Sequence, residues 1–84
     1  MEARFHKNFK KKYKRLPPKM QERFYERLEL FLSDPYNATL NNHSVEKAFP
    51  DCRSINITGD YRAIFKDQGN VVIFIIIGTH AELY

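Results

Sequence analysis

Residues Val71 to Ile77 read Val-Val-Ile-Phe-Ile-Ile-Ile, seven apolar residues in succession with no polar position among them. A half-buried strand alternates apolar and polar side chains, because successive side chains point to opposite faces of a sheet. A run without that alternation is a central strand covered on both sides, here by helices on at least one of them. The run is far short of the roughly 18 apolar residues of a membrane span, and no other run approaches that length. The chain must therefore build a sheet around this strand and find a layer to cover it.

The neighbouring strands are legible just upstream. Ile55 and Ile57 point one way while Ser54, Asn56 and Thr58 point the other. Gly59-Asp60 is a turn signal between this strand and Tyr61 to Lys66, and Asp67-Gln68-Gly69-Asn70 is another before Val71. The three strands make an antiparallel meander.

The covering layer comes from the first third of the chain. Phe5, Phe9, Tyr13 and Leu16 recur at spacings of four, four and three, which puts them on one side of a helix with lysines on the other. Leu16-Pro17-Pro18 interrupts that helix, and proline suits the first turn of the next, where its missing N–H had no partner anyway. The second helix runs to about Leu32, with Met20, Phe24, Leu28, Phe31 and Leu32 as its buried stripe, until Asp34 before Pro35 is pushed out of helical geometry. The two helices form an antiparallel hairpin. Glu2 to Phe5 suits a short first strand, and Pro35 to Pro50 a long polar loop with one helical turn at Ser44 to Ala48. The expected class is α+β, two N-terminal helices packed on a twisted antiparallel sheet, as a single domain over residues 1–84.

Hydrophobic content of 43% is enough for one packed core. The single Cys52 excludes an internal disulfide, and the first 20 residues are too basic to hold the apolar region of a signal peptide, so a cytoplasmic location is expected. Without such a signal, the Asn-x-Ser/Thr triplets at Asn37, Asn42 and Asn56 are chance occurrences. His6, His43, His80 and Cys52 lack the close spacing of a structural zinc site, and neither a metal nor another cofactor is expected.

Charge is unevenly spread. Eight basic groups (Arg4, Lys7, Lys10, Lys11, Lys12, Lys14, Arg15 and Lys19) precede Met20 against Glu2 alone, a local balance of +7, whereas the whole chain carries +4. A basic end favours a polyanionic partner, nucleic acid before membrane, since the apolar face of this helix is committed to the core. Lys7, Lys10, Lys11 and Lys14 are the candidate RNA contacts; the alternative is a merely solvated helix face.

Asp60, Arg62 and His80 stand at the borders of two strands expected to pair. Together they suit RNA cleavage, in which the 2′-hydroxyl attacks the adjacent phosphate. That reaction needs a base, charge stabilisation on the phosphate, and an acid for the leaving 5′-oxygen; it does not need a metal. His80 can act as acid or base, Asp60 can orient an imidazole or take a proton, and Arg62 or Arg53 can hold phosphate oxygens in a fixed fork. Each also has a structural reading: Asp60 as a turn residue, His80 as an end cap of the strand, Arg62 and Arg53 as ion-pair partners.

The order helix, helix, then Arg53-Ser-Ile-Asn-Ile-Thr-Gly-Asp-Tyr-Arg-Ala-Ile-Phe65 and a terminal Ile77-Gly-Thr-His-Ala-Glu-Leu-Tyr84, with Leu40-Asn41-Asn42-His43 upstream, resembles the RelE superfamily of bacterial type II toxins. Within it the chain is most similar to the YafQ branch of messenger-RNA interferases. The resemblance implies ribosome-dependent cleavage of messenger RNA in the decoding site. It also implies inhibition by a small cognate antitoxin whose flexible segment wraps the toxin, and contact with operator DNA only through that antitoxin. Residues matching His43, Asp60, His80 and Tyr84 belong to the active site in the YafQ branch, and those matching Arg62 and Tyr84 in RelE. An aromatic such as Tyr84 can stack on a base. Asn56 departs from the pattern, standing where the YafQ branch has a histidine and RelE a lysine, and Val45 to Asp51 lacks the family's usual glycine. The alternatives are a catalytically quiet relative that binds its antitoxin, for which Asn56 speaks, and a ParE-like toxin acting on DNA gyrase.

Overall fold

A computed structural model describes residues 1–84. Its elements are β1 (Glu2–Phe5), α1 (Lys7–Lys14), α2 (Pro18–Ser33), a 3-10 turn (Ala38–Leu40), β2 (His43–Ser44), β3 (Cys52–Asn56), β4 (Tyr61–Asp67), β5 (Val71–Thr79) and α3 (His80–Leu83). The strands form one sheet ordered β1-β5-β4-β3-β2. The α+β class is as the sequence predicts, but the sheet is mixed rather than antiparallel. β1 runs parallel to β5, with Glu2 beside Val71 and Phe5 beside Phe74, while the other pairings are antiparallel. The parallel pairing is possible because α1, α2 and the rest of the sheet intervene between β1 and β5, a crossover far longer than the minimum for parallel strands.

The unbroken apolar run of β5 has two causes. Val72, Phe74 and Ile77 are fully buried on the helix-covered face, and Ile73, Ile75 and Ile76 are half-buried on the other. The register slips between Phe65–Phe74 and Ile64–Ile76, so Ile75 is an extra, bulged residue that shifts the alternation by one. Phe74 is the hub of the main core, with Phe5, Phe9, Phe24, Phe31 and Phe65 all at ring-centroid distances of 5.5 to 5.9 Å. Burying one such side chain contributes roughly 1.5–3 kcal/mol.

Several boundaries differ from expectation. Phe5 closes β1, and His6 caps α1 by accepting the Asn8 N–H on Nδ1. Leu32 is 39% exposed because it lies about 100° around α2 from Phe31, which takes the core-facing position at this end of the helix. The two helices do run in opposite senses, since Tyr13 meets Gln21 near the turn and Phe9 meets Phe24 further along. The segment expected as a loop contains β2, whose His43 and Ser44 pair with Ser54 and Arg53. A single turn follows, closed by the Ala48 and Phe49 N–H groups on the Val45 carbonyl. Where a glycine was missed, Asp51 takes the left-handed conformation itself, at φ 63°, and the Glu46 carboxylate accepts its N–H at 2.7 Å. Asp is among the few residues that tolerate that region.

Candidate active site

The sheet face away from α1 and α2 is only partly covered. Val45, Cys52 and Ile64 form a small second core there, packed by Phe49, Ile75, Ile76 and Leu83. Burial pushes the Cys52 thiol above its usual range, which suits a packing residue and not a nucleophile. Antiparallel partners share a face, so the register decides which polar groups meet here. His43 lies opposite Ser54, Asn56 opposite Arg62, and Arg62 opposite Gly78. Asn56 and Arg62 form a polar row that ends at Gly78 under α3, while His43 and Ser54 lie in the next row along the same face, which continues to Ile64 and Ile76.

His43 is fixed by a 2.7 Å contact from Nδ1 to the Asn41 carbonyl oxygen. A carbonyl only accepts, so in the neutral ring Nδ1 carries the hydrogen and Nε2 keeps its lone pair. Asn41 can present that carbonyl because it adopts a left-handed conformation, φ 46°, at the end of the 3-10 turn.

The β3–β4 turn carrying Asp60 is held from several sides. Arg62 donates from Nη1 to the carbonyls of Thr58, Gly59 and Tyr61 at 3.0 to 3.2 Å. Thr58 Oγ1 accepts from the N–H groups of Asp60 and Tyr61, and Arg27 of α2 donates to the Ile57 carbonyl. Arg62 thus stiffens the turn with one nitrogen.

His80 opens α3, and its backbone N–H donates to the Asp60 carbonyl at 3.0 Å. Its exposed ring stands 4.8 Å from that of Tyr84, which also meets the Phe49 ring edge-on. Tyr84 and the segment Ser44 to Ala48 line a shallow groove of about 380 Å³ beside His43. α3 is placed by a capping box: Thr79 Oγ1 accepts the Glu82 N–H, and Glu82 Oε1 accepts the Thr79 N–H. Glu82 Oε2 accepts from Lys12 Nζ of α1 at 2.5 Å. That bond, first among the causes, and the Thr79 N–H hold the Glu82 carboxyl down at about 2.

His43, Asn56 and Arg62 therefore share the open face, and His80 and Tyr84 stand at its α3 end, where the His80 backbone is joined to that of Asp60. Arg53 does not join them. It alternates onto the opposite face, where Nε and Nη2 donate to Asn42 and the guanidinium lies 5.6 Å from the Tyr36 ring. Lys7, Lys10, Lys11 and Lys14 are exposed along α1, and Lys10 and Lys14 rim a separate aromatic groove of about 270 Å³ between Phe9, Tyr13 and Tyr25. The sequence reading missed Lys12 and Glu82, whose pairing spans nearly the whole chain, and Ser54, which is fully buried with an unpartnered hydroxyl. No group of three or more His, Cys, Asp or Glu side chains lies close enough together to hold a metal ion. No helix is long and apolar enough to cross a membrane.

Among solved structures, YafQ from E. coli strain BL21(DE3) superposes with a TM-score of 0.83 at 18% identity, covering 99% of this chain and 97% of that one. A chain of the E. coli DinJ-YafQ toxin-antitoxin complex gives 0.81 at 17% identity over 99% and 96% of the two chains. A chain of the RelB-RelE antitoxin-toxin complex from Methanococcus jannaschii gives 0.74 at 23% identity over 96% and 94%. At these identities the likeness is one of fold. No curated protein matches the chain in sequence. The family model for the ParE toxin of the type II toxin-antitoxin system parDE matches residues 3–84. With all but its first two residues matched, the chain belongs to this family of type II toxin-antitoxin toxins.

Proposed function

We propose that this toxin is an endoribonuclease that cleaves messenger RNA on the ribosome and is held inactive by a cognate antitoxin. The observation that carries the reading is the His80–Tyr84 ring pair, 4.8 Å apart, beside the groove that Tyr84 shares with the segment after His43, with Arg62 on the same open sheet face. His43 Nε2, left basic by the Nδ1 contact with Asn41, takes the proton of the attacking 2′-hydroxyl. The 2′-oxygen bonds to phosphorus, the bond to the 5′-oxygen breaks, and His80 in its protonated form gives that oxygen a proton, leaving a cyclic phosphate and a free 5′-hydroxyl. Arg62 has guanidinium donors beyond Nη1 with which to hold the phosphate, and the exposed Tyr84 ring offers a stacking surface for a base. Asp60, tied by its backbone to His80, is the carboxylate assigned to orient an imidazole or act as the base. The antitoxin is supported by relatives of the same fold solved as DinJ-YafQ and RelB-RelE complexes.

A second reading is favoured by the family match itself, which bears the ParE name: a toxin acting on DNA gyrase with the same fold. Induced expression with mapping of transcript ends separates the readings. Growth arrest with messenger RNA cleaved within translated regions supports the nuclease. Arrest with DNA damage and intact transcripts supports gyrase, and absence of arrest supports a catalytically quiet, antitoxin-binding relative.

A further inference from the structure

We infer that Lys12 and Glu82 are positioning residues that latch α3 to α1 and thereby hold His80 and Tyr84 at the mouth of the cleft. The consequence for catalysis rests on the endoribonuclease reading; the latch itself does not.

α3 has four residues, and a helix so short does not persist in water unaided. Where His80 and Tyr84 sit is therefore decided by what fastens this turn. Beyond the His80 N–H bond to the Asp60 carbonyl and the packing of Leu83 and Tyr84, three contacts fasten it, and Glu82 takes part in each. Its Oε1 closes the capping box with the Thr79 N–H at 2.7 Å. With Leu83 it lies over Gly78, where an added Cβ would meet Glu82 Oε1 at 3.1 Å and Leu83 Cδ2 at 3.3 Å. Its Oε2 accepts from Lys12, and this is the one side-chain hydrogen bond or ion pair joining α1 to α3. Since α1 packs on β5 through the buried Phe9, the ion pair ties the short α3 to a helix anchored on the sheet.

Lys12 also differs from its neighbours on the basic helix. Lys10, Lys11 and Lys14 are exposed, whereas the Lys12 side chain is 31% exposed and lies along the protein toward α3. It is a structural cation within a run of solvated ones. A lone exposed ion pair is worth little in overall stability, so its effect is expected in the geometry of α3 and not in the melting temperature.

The test compares wild type with Lys12→Met, Lys12→Arg and Glu82→Gln. His80 and Tyr84 ring resonances are followed by NMR, and single-turnover cleavage is followed on programmed ribosomes. Lys12→Met and Glu82→Gln should shift both rings' resonances, because each lies in the other's ring current. The β3 to β5 amides should stay in place. Cleavage should fall roughly tenfold in kcat with KM nearly unchanged, as for a misplaced reacting group. Lys12→Arg should restore both readouts. Unmoved ring resonances in Lys12→Met would overturn the latch, as would a rise in KM alone, which would make Lys12 an RNA contact. Wild-type protein that cleaves nothing on ribosomes would sink the nuclease reading, and the ring resonances would still decide the latch.

Discussion

The backbone N–H of His80 donates to the carbonyl oxygen of Asp60 at 3.0 Å, joining the first residue of α3 to the turn between β3 and β4. Two segments distant in sequence thus present their side chains as one unit. Arg62 stiffens the same turn from below through three carbonyls. A short hairpin and a single helical turn are otherwise mobile, and reacting groups must be held to within fractions of an ångström.

His80→Ala tests the imidazole apart from this backbone link, which alanine preserves. The side chain is exposed, so stability should change by no more than about 0.5 kcal/mol. Cleavage on programmed ribosomes should fall roughly 10²- to 10⁴-fold, the usual contribution of a general acid or base. A wild-type rate would remove His80 from the mechanism.

Gly78→Ala tests the seat of α3. The new methyl would stand 3.1 Å from Glu82 Oε1 and 3.3 Å from Leu83 Cδ2, so these side chains must give by a few tenths of an ångström, and since Glu82 is held by the capping box and Lys12, α3 is expected to move with them while the strand pairing to Arg62 is kept. Weaker cleavage with a nearly unchanged melting temperature, and displaced Tyr84 resonances, are expected. Unaltered Tyr84 resonances would mean that the side chains over Gly78 give way instead.

Glu82 supplies a pH signature. Its carboxyl titrates at about 2 in the folded protein against 4.5 ordinarily, first because of the Lys12 hydrogen bond. The unfolded chain therefore takes up this proton at higher pH than the folded one. The contribution of Glu82 is complete above pH 4.5 and is lost as pH falls toward 2. In thermal melts, any difference between wild type and Glu82→Gln should be constant above that range and shrink through it. A difference that grows on acidification would show that the carboxylate is not held by Lys12.

The elements that carry strong local signals were legible in the sequence. The apolar run of β5, the period-two alternation at Ile55 and Ile57, and the proline-bounded α2 each follow from the chemistry of a few adjacent residues. The parallel pairing of β1 was not, since four residues of strand read alike whichever way the partner runs. Nor was β2, two residues long and made a strand only by β3 beside it. At the site, the one-letter pattern named His43, Asp60, Arg62, His80 and Tyr84. Arg53 could not be separated from them until alternation along β3 put it on the helix face, against Asn42 and Tyr36. The Lys12–Glu82 pair could not be seen at all, because nothing local marks a contact between the first helix and the last.

The basic helix gives a salt-dependent prediction. Lys7 and Lys11 are exposed and do not line the aromatic groove that Lys10 and Lys14 rim. If they contact ribosomal RNA, neutralising both should weaken ribosome binding and reduce its log–log salt slope by about 0.7 to 0.9 per lost phosphate contact. Unchanged affinity and slope in a pelleting assay would reduce these lysines to a solvated face.

Asn56 gives the last prediction, because sequence and structure bear on it differently. Its register partner is Arg62, and its Oδ1 is buried without a hydrogen-bond partner. Asn56→Ala removes that orphaned acceptor, so the desolvation cost it carries disappears and the melting temperature should hold or rise slightly. An amide transfers no proton, and if the site merely lacks one proton-transfer group at this position, Asn56→Ala should also cost little in cleavage. Asn56→His would restore an imidazole titrating near working pH on the same face as His43, and cleavage should then increase. The opposite result is equally informative. Should Asn56→Ala abolish cleavage while the protein melts normally, Asn56 would be positioning the RNA or its register partner Arg62, and would be a recognition residue instead of a gap in the catalytic set.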